Sequence, residues 1–356
     1  MSLIFLALDF PPAKGGIQTV SYELPLALHR AGHEVGVVSM CGAGSEEFDA
    51  QCPFPVVRVP EATKSQLAAN LGMGAGDLAK QLTEKPVATI ATKWFPEGLG
   101  ATWVLRPFSP PIVMFGHGRE FRLTGGNPVK WFLQRWILKQ VDLGIGVSQW
   151  TARQLVMAGL RKNKVFVVNN GIRPEKFSMP VPDIMDELRI RLQIETKKVL
   201  LTTGRLVERK GHDTVLRLLP QIIEQAGPVT YVIVGTGPQE EKLKTLVKTL
   251  GISEYVRFAG GLSEDELVAA YHLADIFVMP TRDIKSDPGE GFGIVYLEAN
   301  ASGTPVVATD CGGVADAVAD GVSGILCPAG DDQAVADALV KLLLDDELCQ
   351  HKIISQ

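Results

Sequence analysis

Short apolar runs recur along this chain, and one after another they deliver it into glycines. Ile4 to Leu8 leads towards Gly15-Gly16, Pro111 to Phe115 into Gly116-His117-Gly118, Lys198 to Thr203 into Gly204, and Val229 to Val234 into Gly235-Thr236-Gly237. Runs of this length followed by helical patterning build βα units, and βα units in series build a parallel, doubly wound α/β sheet. Ligands of such sheets lie beyond the carboxyl ends of the strands, where these glycines fall. At 356 residues the chain exceeds what a single core usually serves, so two such domains are expected.

Strands are expected at 2–8, 35–39, 87–92, 111–115, 141–147 and 165–168, with helices at 18–30 and 65–84, the latter interrupted by Gly72, Gly74 and Gly76. The turn-rich Asn169-Asn170-Gly171-Ile172-Arg173-Pro174 marks a boundary: 1–172 as the first domain, 173–185 as linker, 186–356 as the second. Strands at 198–203, 229–234, 256–260 and 274–279, a turn then strand at 302–307, a last strand at 323–327 and a closing helix at 331–344 complete the second sheet. Residues 1–173 carry 18 Lys+Arg against 12 Asp+Glu, a balance of +6, and residues 174–356 carry 17 against 28, or −11. The basic half suits an anionic partner, and no nucleic acid is expected.

The apolar start, Met1 to Leu8, lacks a basic leader and reads as a buried strand, and no stretch reaches the roughly 20 apolar residues that cross a bilayer. Five scattered cysteines, without metal-ligand spacing, suit a reduced cytoplasmic protein.

The most informative stretch is Asp287-Pro288-Gly289-Glu290-Gly291-Phe292-Gly293-Ile294-Val295-Tyr296-Leu297-Glu298. Its glycines let backbone approach a ligand, and a helix starting near Phe292 aims unpaired N–H groups forward, a setting that attracts phosphate. Glu298 lies roughly 9 Å further along that helix at about 1.5 Å per residue, so Glu290 and Glu298 suit opposite ends of an elongated ligand such as a nucleotide sugar. The bland alternative is a solvated loop acid and a helix-surface acid. Arg205 and Lys210, around the turn after the strand at 198–203, form a cationic pocket for phosphate, while Glu208 and Arg209 read as solvated charges. Gly235 and Gly237 suit either a phosphate loop or tight packing, and Arg257 ends up near where a base would lie, by position alone.

In the first half, Gly15-Gly16 suit a phosphate or acceptor loop as well as a plain turn. His117, between two glycines, can hydrogen-bond a sugar or shuttle a proton, against the alternative of a turn histidine. From Arg119 to Lys139 five basic residues and one acid mix with Trp131, Phe132 and Trp136, which suits anionic lipid. The apolar residues spread round the helix, however, and favour a packing helix. A nicotinamide dehydrogenase is disfavoured because the second strand ends at Ser39-Met40 without an acid.

Gly15-Gly16, Gly116-His117-Gly118, Asn170-Gly171-Ile172, Gly204-Arg205 through Lys210-Gly211, Val234 to Pro238, and Glu290 with Glu298 stand in an order that resembles the retaining glycosyltransferases of family 4, especially the phosphatidylinositol mannosyltransferase branch. The resemblance implies the GT-B fold, two Rossmann-like domains facing each other across a cleft, and transfer of a mannose- or glucose-type hexose from a nucleotide-diphosphate sugar without cofactor or metal. It implies that Arg205, Lys210 and the amides of Phe292, Gly293 and Ile294 hold the diphosphate. Glu290 would contact the sugar hydroxyls, Glu298 the ribose, and His117 the transferred sugar. The acceptor would be a phospholipid or polyprenol-linked glycan, reached at the cytoplasmic membrane face. An inverting transferase with His117 as base and a non-catalytic sugar-nucleotide binder are the alternatives. Two departures stand out: Arg173 where the family has an aspartate, and an end at Gln356, short of the family's crossover segment, which suggests truncation.

Overall fold

The computed structural model describes residues 1–103, 110–122, 127–284 and 289–345. Asp287, Pro288 and Cys349 lie outside that range, as does the chain end. The protein divides into two compact units, Met1–Asn170 and Gly171–Gln356.

The first unit holds seven strands: β1 (Ser2–Leu6), β2 (Glu34–Met40), β3 (Val56–Val59), β4 (Pro86–Ala91), β5 (Ile112–Gly116), β6 (Leu143–Gly146) and β7 (Val165–Val167). They lie in the order β3-β2-β1-β4-β5-β6-β7, and every recorded pairing is parallel. Ile4, Leu6, Val38 and Met114 turn inward to meet Leu71 and Leu78 of the helix Lys64–Gln81 and Ile137 of the helix Pro128–Gln140. The glycines of Lys64–Gln81 do not interrupt it. A Cβ on Gly74 would stand 2.8 Å from Val38 Cγ1, so this glycine lets the helix settle closely on the sheet.

The second unit repeats the plan with β8 (Lys198–Thr203), β9 (Val229–Val234), β10 (Val256–Gly260), β11 (Ile276–Met279), β12 (Val306–Thr309) and β13 (Gly324–Cys327). Their order is β10-β9-β8-β11-β12-β13, again with parallel pairing. Leu200, Tyr231, Ile233 and Val278 pack against Leu216 and Leu219 of the helix His212–Ala226 and Leu339 of the helix Asp332–Leu344. The helix Pro182–Arg191 starts within the stretch expected to be linker.

Each order reverses direction beside the unit's first strand, between β1 and β4 and between β8 and β11. Loops leaving the carboxyl ends of neighbouring strands diverge at such a point and leave a crevice there. Gly15 and Gly16 follow β1, Arg205 and Lys210 follow β8, and Glu290 lies on the loop that leaves β11.

Candidate active site

In the second unit the crevice is built from the loop after β8. Gly204 opens it with φ +134°, and the turn Glu208–Lys210 closes it before Gly211 enters the helix His212–Ala226. A Cβ on Gly204 would lie 3.9 Å from Lys210 Cε, so the lysine stem folds back over the strand end. A Cβ on Gly211 would meet the Pro280 carbonyl at 2.1 Å, and Arg282 N–H donates to the Arg209 carbonyl at 2.8 Å. These contacts press the cationic turn onto the loop after β11. That loop leads to Glu290.

Glu290 is held on its far side by Gly312, with which it forms a parallel bridge, while Gly313 N–H donates to its carbonyl at 2.8 Å. A Cβ on Gly312 would strike that carbonyl at 2.2 Å, so a side chain there would displace the backbone of the acid. The carboxylate Oε2 accepts from Lys210 Nζ at 2.5 Å and from Arg209 Nη1 at 2.7 Å. Burial acts to push the carboxyl up, and Lys210 and Arg209 together outweigh it, holding Glu290 down at about 2. It is ionised throughout the neutral range. Glu290 is thus no solvated loop acid, and Arg209, expected to be a solvated charge, is its second cationic partner. Arg205, by contrast, is exposed and has no side-chain partner among the described residues.

The helix that follows runs from Ile294 to Ala301, two residues later than the expected start, with Gly293 as N-cap at φ +92°. A Cβ at Gly293 would meet the Tyr296 ring at 2.4 Å. Tyr296 is fully buried and donates to the Met279 carbonyl at 3.1 Å, tying this helix to the end of β11. The amides of Phe292, Gly293 and Ile294 have no hydrogen-bond partner among the described residues, while the Phe292 side chain is buried. Backbone donors of this kind suit an anion.

Glu298 is buried rather than on the helix surface, and its Oε2 accepts from Tyr271 Oη at 2.7 Å, which in turn lies 2.8 Å from Thr203 Oγ1 at the end of β8. Burial pushes the carboxyl up, with the Tyr271 hydrogen bond opposing it. Tyr271 belongs to the helix Glu264–Leu273, which the sequence reading left unassigned although Ser263 and Glu266 form its capping box. That box was the available signal.

Three sequence-predicted positions hold the sheet and its loops together. Gly235 and Gly237 serve close packing: a Cβ on Gly235 would stand 2.0 Å from the Gly204 carbonyl and one on Gly237 2.5 Å from that of Leu206. Arg257 is corrected as a donor contact. Its guanidinium donates to the carbonyls of Leu192, Gln193, Glu254 and Val256, all in segments that precede β8 or open β10. The arginine clasps the amino-terminal edge of the sheet, away from the crevice.

In the first unit, Gly15 caps the helix Gly16–Arg30 after β1, and Gln18 of that helix donates to Asp9 at 3.0 Å. Asp9 also pairs with Lys93, which follows β4. His117, after β5, donates its backbone N–H to Glu120 Oε1 at 2.7 Å, and its ring hydrogen-bonds the Thr92 backbone. Its Nε2 is buried and has no hydrogen-bond partner among the described residues. Burial first, and Lys93 second, push the imidazole down to about 4, so the ring is neutral at pH 7. A neutral ring can exchange a hydrogen bond with a hydroxyl but is a weak proton acceptor.

Residues 14–176 match the family model described as Glycosyltransferase Family 4, and residues 184–354 match Glycosyl transferases group 1. A GDP-mannose-dependent alpha-(1-6)-phosphatidylinositol monomannoside mannosyltransferase of Mycobacterium tuberculosis is 33% identical over 353 residues, 95% of this chain and 88% of the relative. A GDP-mannose-dependent enzyme of Corynebacterium glutamicum, acting on the monoacylated form of that acceptor, is 27% identical over 95% of this chain and 87% of its own. Among solved structures, Anabaena Alr3699/HepE with UDP and glucose superposes with a TM-score of 0.81 at 20% identity, covering 99% of this chain and 94% of that one. That likeness concerns the fold.

Proposed function

The chain belongs to glycosyltransferase family 4, retaining enzymes of GT-B fold that transfer a sugar from a nucleotide-sugar donor, and on that premise we propose that its donor is GDP-mannose and its acceptor a hydroxyl of a lipid-linked headgroup. The observation that carries the reading is Glu290, buried and ionised, tied to Lys210 and Arg209 close to the amides of Phe292, Gly293 and Ile294, which have no partner among the described residues. One site thereby offers cations and amides for a diphosphate and, beside them, a carboxylate that accepts from hydroxyls. The relatives' use of GDP-mannose and phosphatidylinositol mannosides supports the choice of both substrates.

In the proposed reaction the acceptor oxygen attacks the anomeric carbon from the face the diphosphate leaves, so configuration is retained. The bond to the diphosphate oxygen breaks, and the departing diphosphate takes up the acceptor proton. Arg205 and Lys210 stabilise the negative charge as it develops, which lowers the barrier without any step through a metal. Glu290 orients the sugar, Glu298 with its Tyr271 partner binds the ribose hydroxyls, Gly15 and Gly16 let the donor approach the backbone, and His117 hydrogen-bonds the transferred sugar. The depressed basicity of His117 speaks against an inverting reaction with this ring as base. With a lipid acceptor, transfer takes place at the cytoplasmic membrane face.

Nucleoside diphosphate release tests the reading, measured with GDP-mannose, UDP-glucose, UDP-N-acetylglucosamine and ADP-glucose, each with and without phosphatidylinositol vesicles. Release from GDP-mannose, faster with vesicles, is expected. Release from UDP-glucose alone would overturn the donor, and release indifferent to vesicles would overturn the acceptor.

A further inference from the structure

The helix Pro128–Gln140 carries apolar side chains on two opposite faces. One faces the unit's core, where Ile137 and Leu138 are fully buried beside Gln134. At 3.6 residues per turn, Val129, Phe132 and Trp136 fall together on the other. They are 73%, 67% and 45% exposed, and Trp131, 41% exposed, packs edge-on against Phe132 at 4.9 Å. The expected packing helix is only partly buried: Leu133, Ile137 and Leu138 pack on the core, while Val129, Trp131, Phe132 and Trp136 do not. The exposed set is what makes the helix informative, because contiguous exposed aromatics mark a surface that meets something other than water.

The charge around the stripe has one sign. Lys130, Arg135 and Lys139 belong to this helix, and no acid lies between Asn127 and Gln140. The Arg135 guanidinium lies over the Trp131 ring at 5.0 Å, which holds ring and cation in one place. Asn127 caps the helix by accepting from Lys130 N–H, so the stripe sits on a fixed element.

We propose that this face docks the protein onto an anionic lipid bilayer, with Val129, Phe132 and Trp136 entering the boundary between headgroups and acyl chains and Lys130 and Lys139 meeting the phosphates. Tryptophan and phenylalanine favour that boundary, and basic residues beside them add attraction to anionic lipid. A second copy of the chain is the poorer occupant. It would set three basic residues against three more with no acid to offset them. The proposal deepens the reading of a lipid-linked acceptor by naming the surface that reaches it, but its physical basis is separate from the donor site.

Flotation of the full-length protein with phosphatidylcholine vesicles, with and without phosphatidylglycerol, tests it. Neither donor nor phosphatidylinositol is present, so binding can fail while the acceptor assignment stands, and the reverse. Binding should require phosphatidylglycerol and weaken at high salt. Phe132→Ser with Trp136→Ser should lower vesicle affinity at least about tenfold, and Lys130→Glu with Lys139→Glu comparably. These positions are exposed, so both variants should keep the parent's Tm and its nucleoside diphosphate release in the absence of vesicles. No binding of the parent at low salt, or equal binding by parent and the serine variant, would overturn the proposal. So would a dimer, seen by sedimentation, that the serine substitutions abolish while vesicle binding stays absent, since the face would then belong to a second copy.

Discussion

Arg205 and Lys210 stand five positions apart in one loop, yet their surroundings differ. Lys210 is buried against Glu290, while Arg205 is exposed and unpartnered among the described residues. Truncating either removes a cation from the departing diphosphate, so each alanine variant should lose at least about tenfold in kcat, roughly 1.4 kcal/mol. Stability should separate them. Lys210→Ala leaves a buried carboxylate with one partner fewer and should cost about 2–4 kcal/mol, whereas Arg205→Ala should stay within about 0.5 kcal/mol of the parent. Denaturant unfolding alongside kinetics checks the pair, and equal stability losses would contradict the surroundings described. Glu97 offers a pH test in the other unit. It is fully buried, its Oε1 accepting from Leu8 N–H at 3.3 Å, and burial pushes its carboxyl up to about 7 although Lys93 pulls it down. Between its ordinary 4.5 and about 7 the folded protein keeps a proton the unfolded chain has lost, so this group's contribution falls as pH rises through that window. At about 1.4 kcal/mol per unit the loss reaches about 3.5 kcal/mol. Glu97→Gln, which can still accept from Leu8, should match the parent in stability near pH 4.5 and exceed it at pH 8. The same difference at both pH values would show that ionisation is not the cause.

Elements were legible where one physical signal dominated. Apolar runs between glycines located twelve strands to within a few residues, because strands buried on both faces need unbroken apolar sequence. β3 escaped because Arg58 interrupts it. Its guanidinium is held by Asp49 at 2.7 Å and by the Met40 and Pro11 carbonyls, a tertiary arrangement that no local pattern shows. The same limit hid Arg209, whose partner Glu290 lies 81 positions away, and Tyr271, 27 positions from Glu298. Glycine was ambiguous for a related reason. Gly74 and Gly235 admit a neighbouring side chain or carbonyl, Gly293 and Gly312 combine positive φ with a crowded Cβ position, and a sequence shows the missing side chain without what fills its place. The helix Pro128–Gln140 read as apolar all round because its buried and its exposed apolar residues occupy opposite sides of one cylinder.

At the scale of the molecule, length announced two domains, and the structure divides at Asn170 and Gly171, each unit with its own sheet and core. Apart from Gly15 and Gly16, whose backbone the donor is proposed to approach, the side chains and amides assigned here to the nucleotide and its diphosphate, from Arg205 to Glu298, belong to the second unit, and the contacts that position them stay within it. The Lys210–Glu290–Arg209 group is braced by Pro280 and Gly312, and Glu298 by Tyr271 and Thr203. None of these braces comes from residues 1–170. Residues 171–356 made alone should therefore fold and bind GDP within about threefold of the full chain, because a binding energy set by contacts within one unit changes little when residues that supply none of those contacts are removed. Circular dichroism establishes folding and titration calorimetry the affinity. A folded second unit that binds GDP more than about tenfold more weakly would place about 1.4 kcal/mol of nucleotide recognition in the first unit and overturn this division of labour.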